Sequence, residues 1–181
     1  MSMSFTIQPI HAHEHIESLL RIGDECLGRG YLVAADFLID NGFCFGAFNA
    51  DELVGFALSY IVTKDDVSQL SKYKIAGTIV HLLKTVAVLP PFQRMGIGDA
   101  LFGASLKMAE AKGCSASLGY GWLYNGSVPS SQLFEKHGFH QGAEIPEFWY
   151  HDSLHKRYEC VICGAPPCCC SAVEFYRQNN I

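Results

Sequence analysis

The sequence predicts an α/β fold, a mixed sheet with helices on both faces. Two observations carry this. The period of the apolar residues changes along the chain in the order β-α-α-β-β-β-α-β-α-β-β, an alternation that layers helices on a sheet. Residues 78–89 are nearly continuously apolar and β-branched, as in a strand covered on both faces. A chain of 181 residues that is 49% hydrophobic has ample material for one core.

The elements follow in order. Phe5, Thr6 and Ile7 make a short first strand. Ile16, Leu19, Leu20, Ile22 and Leu27 recur near helical spacing, so a helix spans 13–27 and ends at Gly28 and Gly30. A second short helix fits 31–39. Residues 43–48 and 53–62 read as strands joined through a polar turn at 49–52. A polar connection covers 64–74, the long apolar strand follows, and Pro90-Pro91 stops it. Ala100, Leu101, Ala104, Leu106, Met108 and Ala109 belong to a helix ended by Lys112-Gly113. Residues 115–122 are a strand, and Ser127-Val128-Pro129 opens a helix to His137, with Ser127 as its cap. From Phe139 a terminal antiparallel hairpin is expected, turning near 151–153. The domain is thus expected over 1–158, with a Cys-rich extension over 159–181 that ends in a short helix at 171–177.

Composition excludes several classes. The net charge is −5 with no Lys or Arg block, so the basic footprint of a nucleic-acid binder is missing. No apolar run approaches the roughly 20 residues of a membrane helix. The first residues carry histidines and Glu14 rather than a basic, apolar leader, so a cytoplasmic location is expected. Eight cysteines would suggest disulfides in a secreted mini-protein, but five of them crowd between Cys160 and Cys170 of a larger, core-rich chain.

The sharpest chemistry lies where the long strand meets a glycine-rich helix start, Gln93-Arg94-Met95-Gly96-Ile97-Gly98. The first amides of a helix have no partner inside it, and the helix dipole favours an anion there. Gly96 and Gly98 lack a Cβ, so a phosphate can approach closely, and Arg94 adds a charged donor. A tight ligand-free turn is the plainer reading of an isolated match. A Walker loop needs Gly-Lys-Ser/Thr, but Asp99 follows Gly98; a dinucleotide fingerprint needs a third glycine where Leu101 stands.

The stretch 85–101 resembles the acetyl-CoA-binding motif of the GNAT superfamily, with its Gln/Arg-x-x-Gly-x-Gly/Ala signature. Ser130-Ser131-Gln132-Leu133-Phe134-Glu135-Lys136-His137-Gly138-Phe139 is similar to that family's later helix, usually Ala-x-x-Leu-Tyr-Glu-Lys-x-Gly-Phe. The resemblance covers roughly residues 5–158. It implies a GNAT fold with a mostly antiparallel sheet. It also implies that amides of Gln93, Arg94, Met95, Gly96, Ile97 and Gly98 bind the pyrophosphate of acetyl-CoA, while Val86 and Val88 pair with the pantetheine arm. The implied activity is N-acetyl transfer by direct attack of an amine, with an amide near Val86 steadying the oxyanion. The acceptor is then a small-molecule amine or a peptide amine, with no nucleic acid and no membrane; a homodimer is the assembly expected.

Departures from the pattern matter. Phe134 stands where many members carry a Tyr that protonates the leaving thiolate, so water, another side chain such as Tyr124, or no specific acid serves that step. Lys84 stands near a usual Glu base; His81 is the nearest alternative, its plainer reading being a hydrogen-bonded core or rim histidine. Tyr120, Trp122 and Tyr124 alternate along one strand as an aromatic wall or as core packing, and Tyr31 and Tyr60 are further candidates for an acceptor cleft.

In the tail, Cys160-Val161-Ile162-Cys163-Gly164 has the C-x-x-C-Gly form of a zinc knuckle, and Cys168-Cys169-Cys170 follows five residues on. A closed tetrahedral zinc site takes four thiolates, here Cys160, Cys163, Cys168 and Cys170 with Cys169 as a substitute; reduced or partly disulfide-bonded thiols are the alternative. The functional rivals are an N-acetyltransferase, an acyl-CoA-binding regulatory module weakened in catalysis, and an interaction protein docking through its cysteine tail.

Overall fold

The computed structural model describes residues 4–66 and 77–179. Most of the polar connection expected over 64–74 lies outside them. Strands β1 (Phe5–Ile10), β2 (Gly42–Asn49), β3 (Glu52–Thr63), β4 (Ile79–Val88), β5 (Ala116–Trp122), β6 (His140–Ile145) and β7 (Ala172–Gln178) form one sheet in the order β1-β2-β3-β4-β5-β7-β6. Only β4 and β5 run parallel; every other neighbouring pair is antiparallel. The helices are α1 (Ile16–Leu27), α2 (Ala34–Phe37), α3 (Ile97–Ala111), α4 (Ser131–Lys136) and α5 (Tyr150–Lys156).

Period-2 alternation divides the core. On β2 and β3, Cys44, Leu53, Phe56 and Leu58 face Leu19, Ile22, Leu32 and Phe37 of α1, α2 and their connection. Their alternates Phe45, Ala47, Val54 and Ala57 face Ile97 and Leu101 of α3 on the opposite side. The two faces explain why β3 reads as a continuous apolar run. Among the described residues, no helix is long and apolar enough to cross a membrane.

The C-terminal third differs from expectation. The turn predicted at 151–153 lies within α5, and the helix predicted over 171–177 is instead β7 (Ala172–Gln178), inserted between β5 and β6. The boundary expected after Tyr158 therefore runs between two strands of one sheet. The reason is period. Val173 and Phe175, two residues apart, point together into the cluster under α4, where the Phe175 ring stacks on Phe134 at 4.3 Å. Tyr176 packs on the other face against Leu118 and Val80. Past the strand, the Asn179 amide donates to the Cys114 carbonyl and its N–H to that of Ser115, tying the C-terminal end to β5. Ser127 also departs from its expected cap role: its hydroxyl donates to the Tyr124 carbonyl, and α4 starts four residues later.

Candidate active site

A cleft opens where β4 and β5 part. They pair only over residues 80–83 against 116–119, although both strands continue. The cause is on the other edge of β4. Leu58 pairs with Thr85 and Ser59 with Leu83, which leaves Lys84 as an extra, bulged residue. A bulge bends its strand and re-aims side chains. Beyond it, Leu89 donates its N–H to Val54 on β3, so by alternation Val86 and Val88 direct their backbone groups toward the open edge. The Val88 carbonyl is engaged there by Gln93 Nε2 at 2.8 Å and by the Cys26 thiol at 3.4 Å. Burial pushes that thiol up to about 11, so it stays a neutral donor rather than a nucleophile.

The cleft is a cavity of about 580 Å³ that runs from Gln93, Arg94 and Gly98, along Val86 and Val88, to an aromatic chamber. At the first end, Arg94 and Gly96 take the left-handed conformation, φ 62° and 82°, turning the chain into α3. Gly96 answers to that backbone demand. Gly98 answers to space: a Cβ there would meet only a Val88 methyl at 4.0 Å, on a surface that lines the cavity. Ile97 is buried in the core, so only its amide is available, while the exposed Met95 side chain does not line the cavity. Asp99 in the first helical turn would repel an anion, but its carboxylate accepts from Lys136 at 2.7 Å and His137 at 2.8 Å. The Lys136 hydrogen bond foremost, with His137, holds that carboxyl below its usual range.

At the second end, Tyr31, Tyr120, Trp122, Phe148, Trp149 and Tyr158 wall the cavity. Lys84 reaches over the Tyr31 ring, its ammonium 5.0 Å from the centroid. Burial opposes that charge, but Tyr31, Asp152 and Asp36 outweigh it and raise the ammonium above its ordinary pKa. Both aspartates are themselves paired with Lys156, Asp36 at 3.2 Å and Asp152 at 3.6 Å. No carboxylate or imidazole lines the cavity among the described residues.

His81 takes the plainer of its two readings, a hydrogen-bonded core histidine, and not that of the base. It is fully buried below the fork, with Nε2 2.9 Å from the Ser59 hydroxyl and Nδ1 3.0 Å from that of Ser117, and Phe43 stacked over it. Burial, with a smaller effect of Arg177, pushes it down to about 3, so the ring is neutral and structural. Tyr124 does not line the cavity either; it is exposed beyond β5 and stacks on Trp122, which gives its expected acid role no geometric support. Tyr60 instead donates to the Asp36 carbonyl. Tyr31, Tyr120 and Trp122 do reach the cleft, whereas Phe148, Trp149 and Tyr158 escaped sequence reasoning. For Phe148 and Trp149 the one signal was the aromatic run Phe148-Trp149-Tyr150 inside a stretch read as hairpin.

The four expected cysteines converge. The sulfurs of Cys160, Cys163, Cys168 and Cys170 lie within 4.8 Å of one another. Cys160, Cys168 and Cys170 also line the second end of the cavity.

Solved structures share this architecture. Arabidopsis thaliana NAA60 in complex with acetyl-CoA matches with a TM-score of 0.74 at 14% identity, covering 97% of this chain and 98% of that one. The IAA acetyltransferase from Bacillus cereus ATCC 14579 matches at 0.68 and 19% identity, covering 97% and 100%. The ribosomal-protein-S18-alanine N-acetyltransferase from Escherichia coli matches at 0.69 and 14% identity, covering 98% and 96%. No curated protein matches the chain in sequence. The family profile described as Acetyltransferase (GNAT) family matches residues 10–139, and with that match over most of its length the chain belongs to the GNAT acetyltransferase family.

Proposed function

We propose that this protein transfers an acetyl group from acetyl-CoA to an amine by direct attack within the cleft. The observation that carries the reading is the continuity of one cavity, from an amide-rich helix start with an unfilled space at Gly98, along the open edge of β4, to an aromatic chamber holding Lys84. The amides of 93–98 and Arg94 take the pyrophosphate, and the open edge at Val86 takes the pantetheine arm. The thioester carbonyl then lies near the Val86 N–H, which supports the oxyanion.

The amine nitrogen attacks the carbonyl carbon, the C–S bond breaks, and the nitrogen gives its proton to water. Lys84 takes over the usual task of a base in another way. A fixed ammonium disfavours a second positive charge beside it, so the acceptor binds as the neutral amine with its lone pair free. Phe134 offers the leaving group no proton, so CoA departs as the thiolate. The E. coli neighbour's name gives a protein alanine as its acceptor, which makes a peptide α-amine one acceptor class here and a small amine the other.

The test is acetyl-CoA with a panel of small amines and free peptide N-termini, read by thiol release and by mass of the acetylated product. Amine-dependent thiol release supports the proposal. Tight CoA binding with no turnover on any amine would favour the regulatory module, the reading supported by the lack of a carboxylate or imidazole among the described residues lining the cleft.

A further inference from the structure

The loop between α5 and β7 is rich in Cys, Gly and Pro and has little core of its own, yet four of its sulfurs meet at one point. Cys160 and Cys170 stand 3.8 Å apart, Cys163 and Cys168 3.9 Å, and Cys163 and Cys170 3.5 Å. Four thiolates about 2.3 Å from a tetrahedral zinc are separated by about 3.8 Å along each edge. The sulfurs are therefore spaced as ligands around a common centre, and every cysteine is unbonded to another. The first pair has the turn a metal knuckle requires. Cys160 and Gly164 exchange both backbone hydrogen bonds, Gly164 takes φ 76°, and the Ile162 N–H points at the Cys160 sulfur at 3.4 Å, a donor that orients a ligating thiolate. The second pair is held by α5, where Ser153 accepts from the Cys168 N–H at 2.8 Å. Cys169 is exposed, its sulfur toward the Pro167 carbonyl, which removes it from the set.

We propose that Cys160, Cys163, Cys168 and Cys170 bind one zinc ion in a closed tetrahedral site that fixes the acceptor-end wall of the cleft. Each thiol gives up its proton on ligation, so four protons leave and the site carries a net charge of two minus. With four protein ligands there is no open position for water, and the metal is structural. The wall follows from contact: Tyr158, Cys168 and Cys170 form one buried cluster on which Tyr31, Trp122 and Trp149 pack. Gly28 permits this wall to dock, since a Cβ there would come 2.2 Å from the Glu159 carbonyl oxygen. This second part rests on the acetyl-transfer reading; the metal site stands without it.

Metal analysis of the full chain purified without chelators is expected to give about one zinc per chain, and cobalt exchange a tetrahedral thiolate spectrum. The Cys163→Ser/Cys168→Ser double variant loses the metal, whereas Cys169→Ser retains it. The double variant keeps CoA affinity within about twofold in calorimetry but raises the KM of the best amine of the panel at least about tenfold. No bound metal and no cobalt spectrum from the intact chain overturns the site, and so does equal metal loss in Cys169→Ser. Metal loss with an unchanged amine KM overturns the wall. Metal binding in a chain that acetylates no amine leaves the site and removes the acetyl-transfer reading instead.

Discussion

His81 and Lys84 lie three residues apart on one strand and live in opposite worlds. His81 sits where β4 and β5 are paired, sealed between two serine hydroxyls and neutral. Lys84 sits on the bulge where the strands separate, charged and turned into the cleft. The role of a titratable residue here is thus set by which side of the fork it occupies rather than by its intrinsic pKa. Below the fork a polar group stabilises the fold; above it the same strand leaves its edge open to the cavity.

The largest expected effect breaks the closed side. The folded pKa of His81 is about 3 against an ordinary 6.5, so the unfolded chain binds the extra proton. Its stabilising contribution is complete above pH 6.5 and is lost as pH falls from 6.5 to 3. The loss is about 1.4 kcal/mol per pH unit, roughly 5 kcal/mol in all. Urea unfolding across that window measures it; His81→Gln, which keeps two hydrogen-bonding atoms, should flatten the slope. A slope unchanged in that variant would assign acid sensitivity elsewhere.

The fork itself comes next. At Gly119, the last β5 residue paired with β4, a Cβ would lie 2.7 Å from Phe134 Cε1 and 2.9 Å from its Cζ. Gly119→Ala should therefore cost about 1–3 kcal/mol, seen as a lower Tm, because the stacked Phe134 ring has nowhere to move. Unchanged stability would mean that the ring is not clamped.

Lys84→Met sharpens the open side. Without the neighbouring ammonium the bound amine keeps its proton to higher pH, so the acidic limb of the kcat profile moves up by about one unit. Turnover near neutral pH then falls about tenfold while CoA affinity is kept. A profile that stays in place would remove Lys84 from amine deprotonation.

The smallest effect separates ligand space from fold. Gly98→Ala adds a methyl where the protein leaves room, inside the first turn of α3. It should stabilise the chain by about 0.5–1 kcal/mol while weakening CoA binding. Tighter CoA binding in that variant would contradict a phosphate in that space.

These regions differed in how far the sequence revealed them. The glycine-rich start of α3, proposed as the CoA end, was legible because its glycines and proline stop fall within a few consecutive residues and shape the backbone. The convergence of Cys160, Cys163, Cys168 and Cys170 was legible for the same local reason, all four falling within residues 160–170. The choice between the two readings of His81, base or hydrogen-bonded core histidine, was not legible, because its serine partners Ser59 and Ser117 come from neighbouring strands. The aromatic wall proposed for the acceptor draws on Tyr31, Tyr120, Trp149 and Tyr158, which only the fold brings together. β7 was misread as helix because Val173 and Tyr176 also fit a helical spacing, and the period-2 pair Val173 and Phe175 is told apart only by the cluster it enters between β5 and β6.

In the proposed enzyme, one cavity has a CoA end built on α3 and a separate acceptor end built on aromatic side chains. Calorimetric titration of CoA into wild type, Gly98→Asp and Trp149→Ala tests it most directly. Gly98→Asp, placing a carboxylate in the phosphate space, should lose at least about a hundredfold in affinity, roughly 2.7 kcal/mol, while Trp149→Ala binds CoA as the wild type does. Wild-type affinity in Gly98→Asp, or loss of CoA binding in Trp149→Ala, would contradict it.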